Sequence, residues 1–271
     1  MTSSPGTMAR PTPDSPVASK VFPSPNHGAR AAKAGGEGAA RRPDILLLHY
    51  TDMSDSGQAL NRLCDATSEV SAHYFVFENG HILQLVPEAR RAWHAGAAVW
   101  GEERDINSAS IGIEIAHPGH YREPAQPEAM PPYPPTQIEA VIALARDIVA
   151  RWGIRADRVL AHSDVAPLRK RDPGEAFPWQ ELAKAGVGHW VPPAPLRGGR
   201  FLSPGERGQP VEALQAMLAL YGYGLDIDGH YGIATEAAVR AFQRHFRPER
   251  VDGIADASTI TTLRDLIAAR P

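Results

Sequence analysis

The chain has 271 residues, 43% hydrophobic and 22% charged, with a mean hydropathy of -0.30. These are the values of a soluble globular protein with room for one large domain, or a catalytic-sized domain plus a small module. A formal charge of -3 argues against a phosphate-backbone binder, so no nucleic-acid partner is expected. Cys64 is the only cysteine, which excludes an intramolecular disulfide and a Cys-only metal site and leaves soft-ligand chemistry to eleven histidines.

No stretch approaches the roughly 18 apolar residues of a membrane span, so no membrane span is expected. Residues 1–42 hold Pro5, Pro11, Pro13, Pro16, Pro23 and Pro25 with few large apolar side chains, and read as a disordered Pro/Ser/Gly/Ala-rich tail. They also lack the basic start and apolar run of a secretory signal. The expectation is therefore a cytoplasmic protein.

In chain order, Asp44-Ile-Leu-Leu-Leu-His49 reads as a buried strand, because a short apolar run after Pro43 fits a central strand better than a helix. A short helix follows around 58–63. Residues 72–78 and 81–86 are rich in β-formers and flank Asn79-Gly80, which predicts a hairpin with a two-residue turn. Ser110-Ile-Gly-Ile-Glu-Ile-Ala116 alternates with period two, placing Ile111, Ile113 and Ile115 on one face and Gly112 and Glu114 on the other. Thr136-Gln-Ile-Glu139 has the spacing of a capping box opening a helix that runs to Gly153. Arg158-Val-Leu-Ala-His162 returns as a strand. The expected class is α/β, a mixed central sheet flanked by helices, spanning 43–185.

Residues 186–208 have a Pro/Gly-rich linker composition. Beyond them, 209–269 predict a small three-helix domain. Leu214, Met217, Leu218 and Tyr221 share one helix face, as do Val239, Phe242 and Phe246, then Leu263, Leu266 and Ile267. Asp228-Gly229 and Asp252-Gly253 form a weak internal repeat, each followed by a threonine at a helix start (Thr235, Thr259). A module on such a linker is expected to act as a tether, or else to pack on the larger domain.

Two strands end in histidine, His49 and His162. A histidine in an apolar strand is ordinarily a satisfied core residue, but two such endings invite a metal reading. Asp172 follows His162 by ten residues in a loop before Pro173-Gly174, where an ordinary turn aspartate is the bland alternative. Two imidazoles and a carboxylate leave a fourth tetrahedral position for water, the pattern of catalytic zinc. Glu114 is the candidate general base, with Gly112 beside it leaving room for substrate, though an outward glutamate on an edge strand is common. Lys170 could stabilise an oxyanion, or simply belong to the solvated run Arg169-Lys170-Arg171.

The motifs Leu-Leu-Leu-His49-Tyr-Thr, Ser71-Ala-His-Tyr-Phe-Val76, Gln84-Leu-Val-Pro-Glu88, Ala92-Trp-His-Ala-Gly96, Ser110-Ile-Gly-Ile-Glu114 and His162-Ser-Asp-Val-Ala-Pro-Leu-Arg-Lys170-Arg-Asp172-Pro-Gly174 occur in this order. Together they resemble the zinc N-acetylmuramoyl-L-alanine amidases, nearest the AmpD/AmiD branch of the amidase_2 family. The resemblance implies one zinc ion per chain held by His49, His162 and Asp172, a catalytic Glu114 and an assisting Lys170, with Tyr50, His94 and Asn107 lining the substrate cleft. The implied reaction is hydrolysis of the amide between N-acetylmuramic acid and L-alanine in peptidoglycan or muropeptides. Residues 209–269 similarly resemble a peptidoglycan-binding domain of the PG_binding_1 type. That domain makes the periplasm or cell envelope the alternative location. A monomer is expected. The rivals are a non-catalytic peptidoglycan-recognition protein and a glycosidase with paired carboxylates, which would not need histidines at these strand ends.

Overall fold

The apolar run 45–48 becomes a central strand in a computed structural model that describes residues 11–32, 41–120 and 130–271. The elements are β1 (Lys20–Val21), β2 (His27–Ala29), β3 (Ile45–Tyr50), α1 (Ser56–Cys64), β4 (Tyr74–Val76), β5 (Ile82–Gln84), β6 (Arg90–Ala92), α2 (Ile106–Ala109), β7 (Ser110–Ile115), α3 (Pro135–Trp152), β8 (Val159–Ala161), α4 (His162–Val165), α5 (Trp179–Lys184), α6 (Gln209–Tyr221), α7 (Ile233–Phe246) and α8 (Ala257–Ala268). Six strands form a mixed sheet in the order β1-β5-β4-β7-β3-β8, antiparallel only between β4 and β5. A separate antiparallel pair joins β2 to β6.

Period-two alternation divides the sheet's side chains between two cores. Leu46, Leu48, Ile111, Ile113 and Ile115 pack against Ile138, Val141, Leu144, Ala145 and Ile148 of α3. On the opposite face Phe75 meets Ala59 and Leu63 of α1, while Ile45, Leu47 and Leu160 belong to the same core as Leu214, Leu218, Val239 and Phe242 of the C-terminal helices. None of the described helices is long and apolar enough to cross a membrane.

Four expectations change. Residues 11–32 are not a tail: β1 adds to the sheet edge beside β5, and β2 pairs with β6. They are held by polar side chains on main-chain groups. Arg30, 5% exposed, donates to the carbonyls of Glu88, Asn107, Ser108 and Ser110 at 2.8–3.3 Å, and the Ser24 hydroxyl donates to the Leu63 carbonyl. Residues 1–10 and 33–40 of that segment lie outside the described residues.

The hairpin turn is three residues long, because the Phe77 amide bonds the His81 carbonyl while the His81 amide is taken by Asn79 Oδ1. Gly80 sits at φ 80°, and a Cβ there would lie 2.8 Å from the Thr136 carbonyl oxygen. The capping box does not form either. Proline at the first helical position, with its fixed φ and no N–H to satisfy, starts α3 at Pro135, and so places Thr136 inside the first turn.

The C-terminal module packs directly on the larger domain rather than swinging on a tether. Tyr223 donates to Asp164 Oδ1 at 2.8 Å, and His245 Nδ1 lies 2.6 Å from Asp164 Oδ2, which also accepts from the Ala161 amide. The 186–208 segment is itself strapped down: Val187 is buried, and Ala194 bonds Thr262 and Ser258. The internal repeat becomes two matched buried glutamines. Gln215 joins Asp228, Gly229 and Thr235, and Gln243 joins Asp252, Gly253 and Thr259.

Candidate metal centre

Strands β7, β3 and β8 run parallel and end together, and the carboxyl ends of such strands are where an α/β sheet presents its chemistry. Leu47 pairs with Gly112 on one side and Leu160 on the other, so two residues further along the same face the chain delivers Glu114, His49 and His162. Glu114 is thus on a central strand, not an edge. Asp172 arrives from the loop after α4, whose carbonyl accepts from the Ser163 amide at 3.0 Å; its bond to Pro173 is cis.

Among the described residues, His49, His162 and Asp172 form a buried donor cluster able to hold a metal ion. His49 Nδ1 and His162 Nδ1 are 2.9 Å apart, and Asp172 Oδ2 is 3.1 and 2.9 Å from them.

The hydrogen-bond network assigns the tautomers. His162 Nε2 lies 3.0 Å from the Ala95 carbonyl, an obligate acceptor, so Nε2 carries the proton and Nδ1 a lone pair. The Ser110 hydroxyl donates to the Ile106 carbonyl and so accepts from His94 Nε2 at 3.3 Å. His94 Nδ1 is then the acceptor for His49 Nε2 at 2.9 Å, which leaves a lone pair on His49 Nδ1. Two lone pairs and a carboxylate oxygen therefore point at one place. Three converging acceptors repel one another unless a cation sits between them, and two imidazole nitrogens plus one carboxylate oxygen suit zinc with a position left for water.

Burial and the neighbouring His162 lower His49 to about 4, and burial with His49 and His73 holds His94 well below the usual histidine range. Burial works against ionising Asp172, but the two imidazoles outweigh it and keep the carboxyl well below its ordinary value. Burial and the Asp172 charge push Glu114 well above the carboxylate range, with Lys170 opposing. That is the direction a proton-accepting glutamate needs in order to work near neutrality.

A cleft of about 540 Å³ opens over the cluster, lined by Tyr50, His94, Glu114 and Lys170 together with the three donors. Asn107 does not line it. Its side-chain oxygen is taken by the amides of His94 and Ala95, so it clamps the loop that carries His94. Gly112 leaves room for the His94 ring rather than for substrate: a Cβ there would sit 2.6 Å from His94 Nδ1. Two contributors had no sequence signal. Ser110 orients His94, and Arg169, read as part of a solvated run, donates to the same Ala95 carbonyl that holds His162.

The family model for N-acetylmuramoyl-L-alanine amidase matches residues 39–175, and a peptidoglycan binding domain model matches 207–263. The chain is 40% identical over 232 residues to N-acetylmuramoyl-L-alanine amidase AmiD of Escherichia coli (strain K12), covering 82% of each. Among solved structures it is similar to the complex of AmiD from E. coli with the substrate anhydro-N-acetylmuramic acid-L-Ala-D-gamma-Glu-L-Lys. The TM-score there is 0.72 at 37% identity, over 90% of this chain and 97% of that one. AmpDh3 from Pseudomonas aeruginosa in complex with anhydromuramic pentapeptide gives a TM-score of 0.69 at 30% identity, over 83% and 91%. With the donor cluster and the mixed sheet already in place, these matches settle the assignment: the chain belongs to the N-acetylmuramoyl-L-alanine amidase family, and carries a peptidoglycan-binding domain behind its catalytic one.

Proposed function

We propose that the protein is a zinc-dependent amidase that cleaves the bond between the lactyl group of N-acetylmuramic acid and the L-alanine of the stem peptide, in peptidoglycan or muropeptides. The observation that carries this reading is the convergence of His49 Nδ1, His162 Nδ1 and Asp172 Oδ2 beneath a cleft that also holds Glu114 and Lys170. Zinc held by those three atoms supplies Lewis acidity, polarising a carbonyl and acidifying water.

The remaining work belongs to the chain's own groups. Glu114 takes the proton of the attacking water on its carboxylate and returns it to the departing amine nitrogen. The Lys170 ammonium steadies negative charge developing on the carbonyl oxygen. His94 holds His49 in the tautomer that presents its Nδ1 lone pair, and Tyr50 stands at the cleft wall. The peptidoglycan-binding domain supports a place of action at the cell wall.

Product masses from zinc-loaded protein and muropeptide test the reading. Free stem peptide and peptide-free muramyl sugar are expected. Cut sugars would favour a glycosidase, and no product a recognition protein; either would overturn it.

A further inference from the structure

We propose that Tyr223 and His245 of the C-terminal module are positioning residues for the metal centre, which hold His162 in place from behind through Asp164 and the 95–101 loop; this rests on the zinc amidase reading above. Neither residue belongs to the donor cluster. Each acts on the structure that carries or anchors one of its members.

The first route runs through the main chain. His162 opens α4, and the amide of the residue before it, Ala161, donates to Asp164 Oδ2 at 2.8 Å. Asp164 thereby fixes the chain where β8 passes into α4, one residue ahead of the donor. It is fully buried, and across the domain boundary it meets the Tyr223 hydroxyl at Oδ1 and His245 Nδ1 at Oδ2, at 2.8 and 2.6 Å. The His245 ring is itself held, stacked on Trp179 and on Phe246 with centroids 3.7 and 3.8 Å away. Removing either donor strands a buried oxygen and loosens the one orientation of Asp164 that reaches the Ala161 amide.

The second route reaches the far end of the imidazole. His162 Nε2 is anchored on the Ala95 carbonyl, in a loop whose amides at His94 and Ala95 are held by Asn107. Further along, the Val99 amide donates to the Val165 carbonyl at 2.8 Å, and the Gly101 amide to the Gly222 carbonyl at 2.7 Å. Between them the Trp100 ring packs edge-on against Tyr221 and Tyr223, with centroids 6.0 and 5.1 Å away. The fit is close, since a Cβ on Gly222 would lie 2.4 Å from the Trp100 ring. Tyr223 thus bears on both anchors of His162, by its hydroxyl through Asp164 and by its ring through Trp100. A site residue must be held within about 0.5 Å of its productive place, and two anchors on one imidazole serve that tolerance.

The test measures zinc affinity of the full-length protein by chelator competition, and the visible bands of its cobalt(II)-loaded form, which follow the geometry of the donors. Tyr223→Phe keeps the ring on Trp100 and removes only the bond to Asp164. It should lower zinc affinity about ten-fold, the lower end of the range for groups that orient a metal ligand, and alter the cobalt bands. His245→Phe keeps a ring on Trp179 while losing the Nδ1 donor; it should act in the same direction, and it gives the answer if Tyr223→Phe does not fold. Gln215→Leu is the control. It breaks the buried network to Asp228 and Thr235 in the same module, and should lower the melting temperature with zinc affinity and cobalt bands unmoved. Wild-type affinity and bands in either ring variant that folds, or an equal loss in Gln215→Leu, would overturn the positioning role while leaving the amidase reading intact. Failure of wild type to bind zinc would overturn the zinc assignment, and this inference with it.

Discussion

His49 and Glu114 are register partners across the parallel β3–β7 ladder, with both side chains on the same face of the sheet. The proposed metal donor and the proposed proton acceptor therefore share a backbone reference, and neither depends on a loop for its place. A one-residue slip of β7 would turn Glu114 to the α3 side and expose Ile113 in its stead, so the apolar pattern that fixes the register also fixes the chemistry.

Glu114→Gln should retain one zinc per chain and the wild-type melting temperature while losing ~10²–10⁴-fold in kcat, the usual contribution of a general base. Metal content and single-turnover rates check this. Loss of zinc in the variant would remove Glu114 from the proton-transfer role.

Chelation should abolish hydrolysis, and added zinc should restore it. Asp172→Asn should weaken metal binding sharply, because the other two donors are neutral imidazoles and an amide cannot replace the carboxylate's negative charge toward a dication. Full activity in metal-free protein would refute the mechanism.

His94→Ala should lower zinc affinity by roughly 10–100-fold, the cost of losing a partner that orients a metal-bound imidazole. Gly112→Ala should reproduce the effect, since the new Cβ would displace the His94 ring from its bond to His49. A competition titration with a chromogenic chelator reads both. Unchanged affinity in His94→Ala would mean that His49 is held by other contacts.

Arg30→Ala should destabilise the fold by about 3 kcal/mol or more, since it strands buried carbonyls of Glu88, Ser108 and Ser110. At this size that is a fall in Tm of roughly 6 °C or more. A change within 1 °C would show the 11–32 segment to be ornamental to stability.

A chain truncated at Gly198 should lose activity on soluble muropeptide as well as on intact wall, and melt lower. Removing α6, α7 and α8 uncovers Ile45, Leu47, Trp100 and Leu160 and leaves Asp164 without Tyr223 and His245. Selective loss of wall binding, with the soluble substrate cleaved at the full-length rate, would restore the tether.

Much of this was written in local pattern. The alternation at 111–115, the apolar run ending in His49 and the helical spacing of 214–221 each carry their own period, so strands, helices and the three side chains that the fold brings together at His49, His162 and Asp172 could be read one segment at a time. What could not be read depends on pairings without a period. Arg30 binds main-chain carbonyls, which any residue supplies, so nothing in the neighbouring sequence marks its partners. Asn107 and Gly112 have the right neighbours for a cleft, but are committed to His94, whose position is set by a loop. The Pro/Gly-rich composition at 186–208 is a local property and carries no sign that an uncovered sheet face would recruit the helices beyond it.

That recruitment imposes an order on biosynthesis. Asp164 stands two residues after the donor His162, and its side-chain partners Tyr223 and His245 are encoded 59 and 81 residues later. A chain emerging from the ribosome thus completes the proposed donors His49, His162 and Asp172 before it can close the face behind them. Until α7 is made, Ile45, Leu47 and Leu160 stay open to water or to another nascent chain. Helices α6, α7 and α8, which contribute no donor to the His49, His162 and Asp172 cluster, decide when the amidase domain is finished.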